Sequence, residues 1–168
     1  MASRIPVVIF CAATGISAAS ACDRSAPSQM VQDPDEQRVD HSPPTQVTAV
    51  LAALEAGDGI EIAPGDGGWC KGDASATIRI IEVTDDRTRP GDLGFTITIV
   101  DGSPPPNFYV AHYPILSQDG YLPLFWLVRR AQRIPPVDFT IVITAIDLAG
   151  NQGPASQPIR IHHDWIDN

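Results

Sequence analysis

The sequence predicts an all-β protein: an antiparallel sandwich of about seven strands, preceded by a signal peptide and a disordered tether. Three observations carry this expectation. From about residue 59 onward, apolar residues recur with a period of two. Each apolar run ends in turn residues, and the 168-residue chain holds 16 prolines and 13 glycines. No helical stretch of crossover length separates the runs, and parallel pairing would require one. At roughly 100–200 residues per domain, the length allows one domain with appendages. Hydrophobic residues make up 43% and charged residues 18%, which supports a packed core and argues against wholesale disorder. The formal charge of -9 repels phosphate backbones, so nucleic acid is not expected as a partner.

Residues 1–21 lack acidic groups. Arg4 and the initial amine give a small positive region, Ile5 to Ile16 are mostly apolar, and small residues follow. This is the layout of a secretory signal peptide. The apolar run is too short for a spanning helix, which needs about 20 residues. Residues 22–45 are polar and Pro-rich, with Met30, Val31 and Val39 as the large apolar residues. Such a segment buries too little surface to offset its ordering entropy, and as a coil it spans roughly 25 Å. Residues 46–73 form an accessory segment. In it Val47, Val50, Leu51 and Leu54 stand at helical spacing before Gly57, predicting a short helix over 46–56, with a first strand as the rival reading.

The strands follow. Gly59 to Pro64 is short and ends at proline. Ala76 to Val83 alternates, with a slip at Ile80-Ile81 of the kind a bulge produces. Gly94 to Val100 places Phe95, Ile97 and Ile99 on one face and Thr96 and Thr98 on the other. Asp101-Gly102 ends it, and Pro104-Pro105-Pro106 forbids continuation. Tyr121 to Val128 is the most apolar run. Its two apolar faces imply a covered strand or a docking surface. Phe139 to Ile146 alternates again, and Pro158 to His162 closes the fold. The sandwich is assigned to residues 74–164.

Ala145-Ile146-Asp147-Leu148-Ala149-Gly150-Asn151, followed by Ser156-Gln157-Pro158, resembles the last hairpin of bacterial immunoglobulin-like or fibronectin-type-III-like modules. Asp147 and Asn151 can bond their own backbone and Gly150 can supply a positive φ, so the chain can reverse tightly. The resemblance implies an immunoglobulin-like sandwich with a structural or adhesive role. Farther upstream, Ala19-Ser20-Ala21-Cys22 resembles the lipobox of bacterial lipoproteins, which implies that Cys22 becomes the first residue and carries fatty-acyl chains such as palmitate. Two or three chains anchor a protein stably. Ala19 stands where the lipobox usually has Leu, and Ala19-x-Ala21 also suits general signal peptidase, so simple secretion stays open. Asp23 resembles the inner-membrane retention signal of enteric bacteria.

Chemistry is sparse. Cys11 would leave with the signal, and Cys70 then has no partner within the chain once Cys22 is lipidated. His162-His163-Asp164 reads as a polar strand end, because neighbouring strand residues face opposite sides. Asp85, Asp86, Asp119 and Asp147 can approach one another at one end of a sandwich. Oxygen-rich loop ends hold calcium in some such modules, but no twelve-residue calcium loop is present, so these aspartates read as turn caps and solvated surface with calcium as the alternative. No metal, cofactor or catalytic residue is assigned, because no nucleophile elbow, phosphate loop or zinc motif appears. Arg129, Arg130 and Arg133 form the one basic cluster, beside Tyr121 and Trp126. These five are the candidate binding residues, since Arg and aromatics are favoured at interfaces; the alternative is that the charges keep a very apolar strand soluble and guard its edge, with Trp126 a core aromatic. The expected function is a non-enzymatic, lipid-anchored cell-envelope module whose partners are the membrane and envelope proteins or glycans. The alternatives are a carbohydrate-binding module using Tyr109, Tyr113 or Tyr121, an accessory subunit of an envelope complex, and a small secreted enzyme or enzyme inhibitor.

Overall fold

The computed structural model describes residues 27–55, 74–126 and 136–164. The expected signal peptide, Cys22, the expected strand at 59–64, Cys70 and the arginine cluster lie outside the described residues.

Eight strands run through the described residues: β1 (Thr48–Glu55), β2 (Ala74–Glu82), β3 (Gly94–Ser103), β4 (Phe108–Tyr109), β5 (Ile115–Leu116), β6 (Tyr121–Trp126), β7 (Val137–Ile146) and β8 (Ile159–His163). All pair antiparallel. One sheet has the order β1-β2-β6-β4 and the other β5-β3-β7-β8. With the two-residue β5 set aside and the rest lettered in chain order, ABED faces CFG. That is the strand order of an immunoglobulin-like sandwich.

The core follows from the alternation. Val137, Phe139, Ile141, Ile143 and Ala145 of β7 point inward and are buried, as are Ala76 and Ile78 of β2 and Leu122, Leu124 and Trp126 of β6. Phe108 of the first sheet packs edge-on against Phe139 of the second, with ring centroids 5.0 Å apart, and also touches Trp126 at 6.1 Å. Aromatic pairs of this kind add about 0.5–1.5 kcal/mol beyond the area they bury. The expected bulge in β2 is present. Thr48 pairs with Glu82 but Ala49 with Ile80, so Ile81 is skipped and stands 52% exposed.

Three expectations are corrected. The helix over 46–56 is instead strand β1. A second bulge, between Leu51 and Ala53, shifts the strand's phase, so Leu51 and Leu54 both pack against the core at a spacing of three. The bulge imitates helical periodicity. Second, Asp101-Gly102 does not end β3. A bulge at Val100 and Gly102 at φ 76° carry the strand on to Ser103. A Cβ at Gly102 would collide with the Asp138 carbonyl oxygen, so the ladder there requires glycine.

The third correction concerns the tether. Residues 27–45 are not a disordered linker. They form a strap across the sandwich, with one helical turn, α1 (Glu36–Val39). Ser28 O accepts Leu116 N at 2.8 Å, Met30 N donates to Pro114 O at 2.9 Å and Asp33 N to Leu148 O at 2.8 Å. Thr45 N donates to Thr84 O at 2.8 Å. Gln29 bridges Ile115, which covers the β5 edge of the second sheet. Met30 is buried against the first residue of β3, where a Cβ on Gly94 would come within 2.5 Å of its sulfur. The structured domain therefore begins well before residue 74.

Candidate functional site

Three segments meet beyond the ends of β2 and β7: the strap, the β2–β3 loop and the β7–β8 hairpin. Each contributes an aspartate. One carboxylate oxygen from each of Asp40, Asp85 and Asp147 lies within 4.8 Å of the other two. Asp147 is fully buried, Asp40 is 2% exposed and Asp85 is half-buried.

Local hydrogen bonds fix each one. Asp147 closes the hairpin: Oδ1 accepts Asn151 N at 2.8 Å and Oδ2 accepts Asn151 Nδ2 at 2.8 Å. Gly150 N donates to Asp147 O at 3.0 Å, with Gly150 at φ 92°. The Asn151 amide also reaches the strap, donating to Asp40 O at 3.3 Å. Asp40 follows α1, and its Oδ1 accepts Ser42 N at 3.0 Å. Asp85 caps its own loop, where Oδ2 accepts Thr88 N at 2.7 Å and Arg87 N at 3.1 Å. Buried Thr88 in turn accepts Leu148 N through its hydroxyl at 3.2 Å.

Two oxygens are left over. Asp40 Oδ2 and Asp85 Oδ1 are buried and accept no hydrogen bond among the described residues. A buried acceptor without a partner costs about 1–3 kcal/mol, more when charged. Two like charges about 4 Å apart repel by roughly 1 kcal/mol in water and about 4 kcal/mol at an effective dielectric of 20. Arg87 is close enough to feel Asp40, but its guanidinium is bonded to Glu36 at 2.8 Å. That hydrogen bond and charge are the main causes of its raised pKa. The three carboxylates thus form an all-oxygen donor set of the type that hard divalent cations take.

Of the candidate binding residues singled out from sequence, Tyr121 and Trp126 are described, and neither belongs to this cluster. Trp126 takes the core reading: it is 1% exposed and does not line a surface. Its indole Nε1 is buried and has no hydrogen-bond partner among the described residues. Arg129, Arg130 and Arg133 lie outside the described residues, so no basic surface is described beside Tyr121. Tyr121 is 39% exposed at the start of β6, on the outward side of the first sheet. Tyr109, paired with Phe125 in β4, shares that outward side at 37% exposure. Its phenol is raised above the ordinary tyrosine value, first by its hydrogen bond with Tyr113 and then by desolvation. His162 sits among exposed carboxylates, 3.6 Å from Asp138 and 3.5 Å from Asp164. An open groove of about 360 Å³ runs between Ile80, Val83, Pro90, Phe95, Ser117 and Gly120, and its walls are mainly apolar.

Of the four acidic residues expected at one end, the structure joins Asp85 and Asp147 and leaves Asp86 and Asp119 outside the cluster. Asp40 was missed, because a polar Pro-rich stretch reads as linker. One signal was available in the hairpin. Gly153 has no positive φ, yet a Cβ there would come within 2.5 Å of Pro44 O. A glycine that the turn itself does not need marks another chain passing close. Comparison with protein-family models and with curated proteins returns no match for this chain.

Proposed function

We propose that this chain is an exported, lipid-anchored cell-envelope protein whose immunoglobulin-like sandwich is a non-enzymatic structural or binding module. The observation that carries the reading is the strap. Residues 28–45 are bonded to Leu116, Pro114, Leu148 and Thr84, so the chain leading from Cys22 joins the sandwich by a docked segment. Load arriving from an anchor at Cys22 would be spread over three loops and the β5 edge of the second sheet instead of over one strand end. The lipobox-like Ala19-Ser20-Ala21-Cys22 supplies the anchor in this reading. The test is the intact mass of the mature protein together with membrane fractionation, beside Cys22→Ala. Acyl groups on Cys22, and loss of the variant from membranes, are expected. An unmodified chain in the soluble fraction would replace anchoring with secretion.

A second reading rests on the exposed Tyr109 and Tyr121 on one outward sheet face. Aromatic faces of this kind stack on sugars, which makes a carbohydrate-binding module the alternative. Retention on cell-wall polysaccharide that falls in Tyr109→Ala and Tyr121→Ala would favour it. Equal retention of wild type and variants would remove it.

A further inference from the structure

We propose that Asp40, Asp85 and Asp147 bind one calcium ion, which fastens the N-terminal strap to the sandwich. This inference does not depend on the lipid anchor. Two independent observations meet at the site. Three carboxylates from three separate segments converge with oxygens inside 4.8 Å. In addition, Asp40, 2% exposed, holds Oδ2 without a hydrogen bond, and Asp85 does the same with Oδ1. Turn capping does not explain these two atoms. The caps at Ser42, Arg87 and Thr88 use the other oxygen of each carboxylate. Asp40 and Asp85 are thus each held by one oxygen while the second stays available, and Asp147, held through both oxygens by Asn151, has a further lone pair to offer.

The chemistry selects the ion. Calcium takes oxygen ligands at roughly 2.3–2.6 Å, so two ligands on one ion stand no more than about 5 Å apart. Magnesium binds at roughly 2.0–2.1 Å, demands near-octahedral geometry and gives up water reluctantly. A cluster assembled from a strap, a loop and a hairpin, with no rigid octahedral frame, suits the larger, more tolerant ion. Zinc and copper favour nitrogen and sulfur, which none of these three side chains supplies. One oxygen from each carboxylate provides three of the six to eight oxygens calcium takes, so water completes the shell. With the ion bound, the like charges attract a common centre. The strap and the hairpin then become one body, as the Asn151 contact to Asp40 O already begins to make them.

The test uses the purified full-length chain, stripped with chelator, and calcium chloride or magnesium chloride as the probe. Calorimetric titration should show one saturable calcium site per chain. A dissociation constant on the order of 10⁻⁴ M is expected, the range of extracellular calcium modules, with magnesium at least about tenfold weaker. Asp40→Asn and Asp85→Asn keep a capping oxygen while removing charge, so both should fold. Each should weaken calcium binding by about tenfold or more. Without calcium, their melting temperatures should equal or exceed that of wild type, because repulsion is relieved. A purely structural role for these carboxylates predicts the opposite sign. Calcium should also slow hydrogen exchange at the amides of Met30, Asp33 and Thr45. Absence of saturable calcium binding by wild type up to about 10 mM overturns the proposal, whatever the variants do. Binding that survives unchanged in both variants overturns the site, and equal affinity for magnesium overturns the choice of ion.

Discussion

The sandwich interior and the strap are both ordered, but by different physics. The interior is built from apolar side chains that alternate along β2, β3, β6 and β7, and its stability scales with area removed from water. The strap has little such area to offer. Among its described residues, Met30 is the large buried hydrophobic, and Val31 and Val39 stand 78% and 59% exposed. It is held by backbone groups that bond to loops and edges already fixed by the core. Glycines at 94, 150 and 153 clear its path, and prolines at 34, 43 and 44 reduce the freedom it loses on docking. Thus a polar segment can be ordered without a hydrophobic stripe when the surface beneath it offers unpaired edges and room for close approach.

The sharpest way to separate the two regions is to damage one and watch the other. Phe139 is 1% exposed at the centre of the sandwich and touches Phe108 across the sheets. Phe139→Ala should lower unfolding free energy by about 3–5 kcal/mol, through lost transfer energy and a residual cavity. Urea denaturation measures this. The strap should melt in the same transition, because its partners belong to the fold. A strap that remained protected after the sandwich unfolded would show it to be an independent unit.

The reverse damage is smaller and should stay local. At Gly153 a Cβ would press on the Pro44 and Thr45 carbonyl oxygens, which are backbone atoms and cannot swing aside. Gly153→Ala should therefore cost about 1–3 kcal/mol, the usual range for overpacking. Its effect should concentrate in the strap. Hydrogen exchange should accelerate at Asp33 and Thr45 while β3 and β7 amides keep their protection. Uniform acceleration across the molecule would show that strap and core share one cooperative unit.

These two regions also differ in how far the sequence discloses them. Period-two alternation marks β2, β3, β6 and β7 because each has one face in the core, and burial of that face selects the residues. The slip at Ile80-Ile81 discloses its bulge for the same reason. In β1 the signal fails: a bulge between Leu51 and Ala53 puts two inward residues three apart, and a helix has the same spacing. The strap fails more deeply. Its order resides in backbone bonds to distant residues, which leave no periodicity in its own side chains. The acidic cluster is half legible. Asp85 and Asp147 follow strands and are expected at one end, whereas Asp40 arrives on the strap and becomes visible only with it.

A third contrast sets both regions against the exposed charge pairs of β7 and β8, where the smallest effect is expected. Arg160 donates two hydrogen bonds of 2.8 Å to Asp138, and both side chains are more than half exposed. The Asp138 carboxyl is held below its usual value, chiefly by that Arg160 hydrogen bond, with desolvation working against it. A depressed folded-state pKa means stability present above the unfolded carboxylate value, about 3.9, and lost as pH falls through the lowered one. Asp138→Asn should therefore melt slightly below wild type at pH 7. The gap should close in acid below the lowered value, where the wild-type carboxyl is itself neutral. It should also narrow in roughly 1 M salt, where charges are screened within about 3 Å. The cost of Phe139→Ala should show neither dependence. A gap of constant size across pH and salt would mean that Asp138 acts through packing and belongs with the core.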